Sequence, residues 1–332
     1  MISRVAESCF WMFRYIERLQ NTARLLEANL GFVLDAELPV EHAWRPLVIV
    51  SGERERFDSL LGKSSSEDGD TVQEYLVWDE RNPSSVLNSL TMARENARRI
   101  REVISEEMWN SLNSFWYWMR RGAGRRLYRS GPDRFYARVR DWPLEFFGIT
   151  LETTLHEEPF DFMRLGMFLE RAGQTARILD VKYHMVGPTT DRVPTPVEHA
   201  SWLALLRSCS AFEAFFKRHS KLPIGPDVAG FLLFEKNFPR SVRFCTERSQ
   251  NYLKRIRASS QAFGTDTAAR VEETLDKLEN GTTDAFIQHG LHLELTDLVD
   301  RITGICDAVH REYFAPPLPD GCVVAGHHPG EE

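Results

Sequence analysis

Tyr15-Ile16-Glu17-Arg18-Leu19-Gln20-Asn21-Thr22-Ala23-Arg24-Leu25-Leu26-Glu27 lines up without a gap on Phe168-Leu169-Glu170-Arg171-Ala172-Gly173-Gln174-Thr175-Ala176-Arg177-Ile178-Leu179-Asp180, the two glutamates lying 153 residues apart. Two further echoes follow in the same order. Glu41-His42-Ala43-Trp44-Arg45-Pro46-Leu47 is answered by Glu198-His199-Ala200-Ser201-Trp202-Leu203-Ala204-Leu205. Trp78-Asp79-Glu80-Arg81-Asn82-Pro83-Ser84-Ser85-Val86 is answered by Phe234-Glu235-Lys236-Asn237-Phe238-Pro239-Arg240-Ser241-Val242, by which point the offset is 156. Ordered matches with so little drift read as an internal duplication. The expected architecture is one all-α domain over residues 1–314, a helical bundle of two repeated halves (about 1–145 and 146–314), followed by a disordered tail at 315–332.

Periodicity makes the echoed blocks helical. Met12, Tyr15, Ile16, Leu19, Ala23, Leu26 and Leu30 recur at three- and four-residue steps from Ser3 to about Leu34, one apolar helical stripe that Pro39 should stop. A second helix is expected from about His42 to Leu61, and a mobile surface loop over Gly62 to Asp70. A helix starting at Asn82-Pro83 would carry Val86, Leu90, Ala93, Ala97 and Ile100. Met108 to Met119 reads as a buried aromatic helix, broken by the Arg-rich stretch Arg120 to Arg129. A long helix is then expected from about Asp133 into the second repeat. Breaks at Gly187 to Pro196 and Pro223 to Pro226 precede a last helix from about Thr283 to Phe314.

Composition sets outer bounds on function. The 332 residues are 42% hydrophobic and 27% charged, with 20 glycines and 16 prolines, enough for a core and too few turn formers for a sandwich or barrel. A net charge of −7 excludes a general nucleic-acid binder, which needs a positive surface. Cys9, Cys209, Cys245, Cys306 and Cys322 are odd in number and form no C-x-x-C pair, so neither a disulfide framework nor a thiolate zinc site is expected, and a reducing cytoplasm fits. The start reaches charges too early for a secretory segment, and no stretch approaches the roughly 20 apolar residues of a membrane span. No phosphate-binding glycine loop, dinucleotide fingerprint or serine nucleophile elbow is present.

At 100° per residue Glu17, Asn21 and Arg24 fall within about 60° of one another, with Arg14 beside them, on the side away from the main apolar stripe. Glu170, Gln174 and Arg177 repeat the set, and Arg18 and Arg171 flank the glutamates. Three readings compete. A solvated face would owe little to these pairs. A network buried between helices resists change one partner at a time, because an orphaned buried charge costs about 3 to 5 kcal/mol. A ligand site would use the arginines to clamp a carboxylate or phosphate while the glutamates bind an amine or move a proton.

Weaker candidates lie on the last helix, where Glu294, Asp297 and Arg301 share a run with His289 and His292. Two histidines and an acid can ligate a metal, but the H-E-x-x-H order is absent and no metal or other cofactor is expected. Arg120, Arg121, Arg125, Arg126, Arg129, Arg134, Arg138 and Arg140, interleaved with Tyr128, Phe135 and Tyr136, form a basic stretch that suits single-stranded nucleic acid or an acidic partner. Only seven lysines stand among the 41 basic residues, so arginine is the chain's general cation and a solvated face is the favoured reading of the stretch. Trp109, Phe115, Trp116, Trp118 and Trp142 read as core rather than as a stacking platform.

The blocks Ser3-Arg4-Val5-Ala6-Glu7-Ser8, Trp11-Met12-Phe13-Arg14-Tyr15-Ile16-Glu17-Arg18, Asn82-Pro83-Ser84-Ser85-Val86, Ala93-Arg94-Glu95-Asn96-Ala97-Arg98 and Leu165-Gly166-Met167-Phe168-Leu169-Glu170-Arg171-Ala172 together resemble the bacterial alpha-E domain family, from the first residue to about Phe314. Leu19 departs from the alanine that follows the second Glu-Arg pair, Ala172. The resemblance implies a helical domain with a recurrent Glu-Arg motif and no settled biochemical activity. It also implies association with circularly permuted ATP-grasp proteins and transglutaminase-like peptidases, a set that looks like a peptide-ligating or amide-forming system. On that basis the chain is expected to be an accessory or substrate-binding subunit. The alternatives are a stand-alone enzyme, with Glu17 and Glu170 in acid/base roles and Arg24 and Arg177 binding an anion, and an Arg-stretch nucleic-acid binder.

Overall fold

In the computed structural model, which describes residues 3–36, 43–186, 195–259 and 264–315, every regular element is helical. In chain order the α-helices are α1 (Ser3–Ala36), α2 (Arg45–Val50), α3 (Arg54–Leu61), α4 (Gly69–Val77), α5 (Val86–Arg99), α6 (Glu106–Arg120), α7 (Ala123–Ser130) and α8 (Pro132–Thr153). There follow α9 (Glu158–Val186), α10 (Pro196–Ser208), α11 (Phe212–Phe216), α12 (Gly225–Phe234), α13 (Val242–Ser259), α14 (Thr265–Asn280), α15 (Thr283–His289) and α16 (Leu291–Val309), closed by a π-helical turn over His310–Phe314.

Helices α1 and α9 form the central pair and pack along each other. Helices α5, α8 and α10 cover α1, and α13 and α16 cover α9. Because neighbours surround α1, residues that could lie on opposite faces of a surface helix are all buried: Cys9, Phe13, Ile16, Leu19 and Ala23 show no exposure, and neither does Glu17. A charge buried as Glu17 is cannot reach water, so it must be paired within the protein. The polar stripe therefore does not lie on a solvated side: it faces the α1–α9 contact. The contact is close because Gly166 of α9 sits against the Phe10 backbone of α1, leaving no room for a side-chain carbon.

Local chemistry explains most departures from the expected boundaries. The helix expected from His42 to Leu61 is two, interrupted at Gly52, whose φ of 77° suits glycine. Gly62 to Asp70 is not a loop throughout: a 3-10 turn spans Lys63–Glu67, and Asp68 caps α4 by accepting from the Thr71 N–H. Helix α5 starts after Ser85, whose hydroxyl accepts from the Asn88 N–H, so Pro83 lies just before the cap rather than in the first turn. Its expected apolar residues, from Val86 to Ile100, are all fully buried. The Arg-rich break is a single turn at Gly122 (φ 85°) between α6 and α7. The long helix expected from Asp133 is interrupted between α8 and α9, and the last helix divides at Gly290 (φ 97°). Thr195 caps α10 with a reciprocal capping box to Glu198. Pro39, the break at 187–194 and the tail from 316 lie outside the described residues.

Candidate functional site

The two Glu-Arg pairs meet by exchange across the α1–α9 contact. The Arg171 guanidinium on α9 donates twice to Glu17 on α1, Nε to Oε1 at 3.1 Å and Nη2 to Oε2 at 2.8 Å. The Arg18 guanidinium on α1 donates twice to Glu170 on α9, Nε to Oε1 at 2.8 Å and Nη2 to Oε2 at 3.1 Å. Each glutamate is thus held in a forked grip by the arginine that follows the other glutamate. Between them the Asn21 amide donates to the Gln174 Oε1 at 3.0 Å, and Gln174 donates in turn to Glu170. The helical spacing explains the layout: acid and amide at i and i+4 share one face, and the arginine at i+1, about 100° round the helix, reaches across to the other helix's glutamate rather than to its own neighbour.

Around this exchange the two sites differ. Glu17 takes a second arginine, Arg240, whose Nη1 donates to Oε1 at 2.6 Å while Nη2 donates to the Gln20 side chain. Arg24 stands 3.6 Å from Glu17 and is held by Asn21 Oδ1 and the Ser208 carbonyl at the end of α10. Glu170 takes Arg14, whose Nε donates at 2.9 Å and whose guanidinium lies over the Trp11 ring. Arg177 is half-buried close to Glu170, and among the described residues its guanidinium makes no hydrogen bond and no ion pair. Arg240 escaped the sequence analysis. It follows Pro239 in the third echo, where the first half has Ser84, and nothing local signals its burial; its position is set by Thr175, which donates to the Arg240 carbonyl, and by Arg171, which reaches the Pro239 carbonyl.

Six arginines therefore surround two glutamates. Burial pushes the Glu17 carboxyl up, but Arg171, Arg240 and Arg24 outweigh it and hold the group well below the usual carboxylate range. Burial acts likewise on Glu170 and is outweighed by Arg18 and Arg14 and by the Gln174 hydrogen bond. Both carboxylates stay ionised at neutral pH. The excess of positive charge falls on the arginines: burial lowers Arg24, Arg177 and Arg240, and neighbouring arginines lower them further.

A pH dependence follows. Carboxyls depressed by folding confer stability that is complete above their ordinary value of 4.5 and is lost as pH falls below it. The thermal midpoint is expected to drop steeply below about pH 4.5, and Glu17→Gln is expected to flatten that drop; an equally steep drop in the variant would place the acid sensitivity elsewhere. Asp161, which burial raises to about 6 against the pull of Arg255, works in the opposite sense: it costs stability as pH rises through that value.

The weaker candidates do not join the network. Glu294 and Asp297 share Lys277 at 2.5 and 2.8 Å, and Arg301 closes on Asp297 within its own helix. His289 ends α15 beyond the break at Gly290, so it and His292 are not three apart on one helix; His292 instead meets Asp180 at 2.7 Å. Among the described residues no group of three or more His, Cys, Asp or Glu is placed to hold a metal. Cys9, Cys209, Cys245 and Cys306 are buried free thiols, and Cys322 lies outside the described residues. In the basic stretch Arg120 pairs with Glu80, Arg125 with Glu74, and Arg140 with Glu27 and with its own neighbour Asp141, so acids neutralise part of it. No described helix is long and apolar enough to cross a membrane.

An all-helical frame with a Glu-Arg pair on each of its two central helices is the setting for the comparison with known proteins. The chain belongs to the Alpha-E family, whose model matches residues 1–314 and is described as "a predicted alpha-helical domain with a conserved ER motif". It is similar to an uncharacterized protein of Mycobacterium bovis and to uncharacterized proteins of two Mycobacterium tuberculosis strains, each 24% identical over 331 residues. The match takes in 90% of this chain and 36% of each relative, so the chain spans about a third of the length of the curated relatives it matches. No solved structure matches it.

Proposed function

We propose that this chain is a helical binding module that works with an ATP-grasp-type ligase, as an accessory or substrate-presenting subunit of a peptide- or amide-forming system. The observation that carries a binding role over a catalytic one is the state of the two glutamates. Each is gripped by at least two arginines and kept ionised, so neither has a proton to give nor the basicity to take one near neutral pH. That weighs against the stand-alone enzyme. Pairing of the basic stretch with acids weighs against the nucleic-acid binder, for which salt-sensitive oligonucleotide binding would be the sign.

Family resemblance supplies the partners: a circularly permuted ATP-grasp protein and a transglutaminase-like protein. In this reading the two halves descend from one duplicated bundle, with α1, α5 and α8 answering to α9, α13 and α16, and the Glu-Arg pair is the family's motif turned inward to lock the halves together. Four buried free thiols agree with a reducing, cytoplasmic setting. Co-expression with a circularly permuted ATP-grasp protein from the same organism tests the reading. The two are expected to co-elute through affinity and size-exclusion steps, whereas separate elution at micromolar concentration would count against the partnership.

A further inference from the structure

Between α1, α9 and α16 a cleft of about 210 Å³ opens beside Glu170. Trp11 and Arg14 line it from α1, Gln174 and Arg177 from α9, and Thr303 and Asp307 from α16. On the Glu17 side of the network, among the described residues, Arg240 and Arg24 close over the carboxylate, and both are buried.

We propose that this cleft is a binding site for a small organic carboxylate of amino-acid size, with Arg177 as its anchor. The inference deepens the reading of the chain as a binding module by naming the ligand class.

Three observations converge. First, Arg14 and Arg18 both spend their charge on Glu170, while Arg177, partly withdrawn from water, bonds to nothing among the described residues. A guanidinium needs planar acceptors, and a carboxylate meets its fork with two parallel hydrogen bonds. Second, the charge balance selects a single carboxylate. Arg14, Arg18 and Arg177 outnumber the buried Glu170 by two, so one carboxylate meets net positive charge at the anchor even when an ammonium on the same ligand pairs with Asp307, whereas a second carboxylate would be pressed toward Glu170. Third, the walls divide by chemistry. Trp11, Leu169, Val299 and Ile302 offer apolar surface for a short side chain, and Asp307, exposed at the rim, is placed to attract an ammonium. A cleft of this volume holds an amino acid or the last residue of a peptide, and it lies below the roughly 300 Å³ at which drug-sized pockets begin.

Isothermal titration of the purified chain at constant ionic strength, with L-alanine, acetate and inorganic phosphate as separate probes, tests the site without any partner protein. L-alanine and acetate are expected to saturate and phosphate to bind more weakly. Arg177→Ala is expected to weaken both carboxylates at least tenfold while leaving the thermal midpoint within a degree or two, since that side chain makes no bond whose loss would unfold the chain. Arg177→Lys should recover part of the affinity, and Asp307→Asn should weaken L-alanine and spare acetate. Absence of saturable carboxylate binding into the tens of millimolar, unchanged binding in Arg177→Ala, or a preference for phosphate would each overturn the assignment. Co-elution with the ATP-grasp protein combined with no titration would leave the module standing and remove the ligand. Carboxylate binding without co-elution would do the reverse.

Discussion

Glu17→Gln is expected to lower the stability of the folded chain by about 3 to 5 kcal/mol, the measured range for removing one partner of a buried ion pair. The carboxylate is completely buried and is the only anion in contact with Arg171 and Arg240 among the described residues, with Arg24 a further 3.6 Å neighbour. An amide of the same shape leaves those guanidinium groups withdrawn from water with no counter-charge, so the loss includes their stranded solvation as well as the hydrogen bonds. In a chain of this size such a loss corresponds to a fall in Tm of roughly 4 to 7 °C. Glu170→Gln is expected to cost less, about 1.5 to 3 kcal/mol, because Arg14 and Arg18 are 14% and 20% exposed and water in the adjoining cleft can reach them. Combining Glu17→Gln with Arg240→Met removes one stranded cation and should recover a measurable part of the loss, a non-additivity diagnostic of direct coupling. Thermal and urea unfolding of wild type, Glu17→Gln, Arg240→Met, the double variant and Glu170→Gln checks this. A Glu17→Gln midpoint within a degree of wild type would show that the pair is not what holds α1 to α9.

Gly166→Ala is the second substitution with a large expected effect, about 3 kcal/mol, the upper end of the range for overpacking a tight interior. A Cβ at this position would fall well inside van der Waals contact of the Phe10 carbonyl oxygen and 3.1 Å from its carbonyl carbon and ring Cδ2. The obstacle is backbone, which cannot swing aside, so α1 and α9 would have to separate. Separation also stretches the paired forks of Arg18 and Arg171, coupling the steric cost to the ionic one. Gly173→Ala, one helical stretch further along α9, is the matched control. Its Cβ would meet only Ile302 Cγ2 at 3.5 Å, an ordinary contact, and removing a mid-helix glycine favours the helix by up to about 1 kcal/mol. If unfolding shows the two variants equally stable, close approach at Gly166 is not a constraint on the fold.

The two results bear on function through one distinction. A network whose removal unfolds the protein is the lock of the bundle, and a ligand must then be recognised by groups the lock leaves over. Arg177 is such a group: it occupies the position in the second stripe that Arg24 occupies in the first, yet Arg24 is tied to Asn21 and to the end of α10 while Arg177 faces the cleft. Residues at matching positions in the two stripes thus meet different surroundings.

Much of this protein is written in short-range pattern. Apolar spacing marks α1, α5 and α6 within a few residues of their ends, because a helix must present one face to a core whatever that core is. The matching stripes themselves are visible as residues recurring at the same spacing. Fine boundaries at Gly52, Gly122 and Gly290 are less visible, since a glycine breaks a helix only when the chain beyond it packs better in a new direction. What pattern could not supply is the side of α1 on which Glu17 lies relative to water. On a helix considered alone, polar residues opposite an apolar stripe point outward; α9 laid along that side turns outward into inward, and burial in turn makes arginine pairing obligatory. Arg240, more than 200 residues from Glu17 in the chain, enters only because α13 begins there. The sequence by itself thus determined the helices and the matched set of acid, amide and guanidinium. Tertiary packing alone decided that the charges face each other, that one glutamate is sealed and that the other opens onto a cleft, because solvent exposure belongs to the assembled helices and to none of them singly.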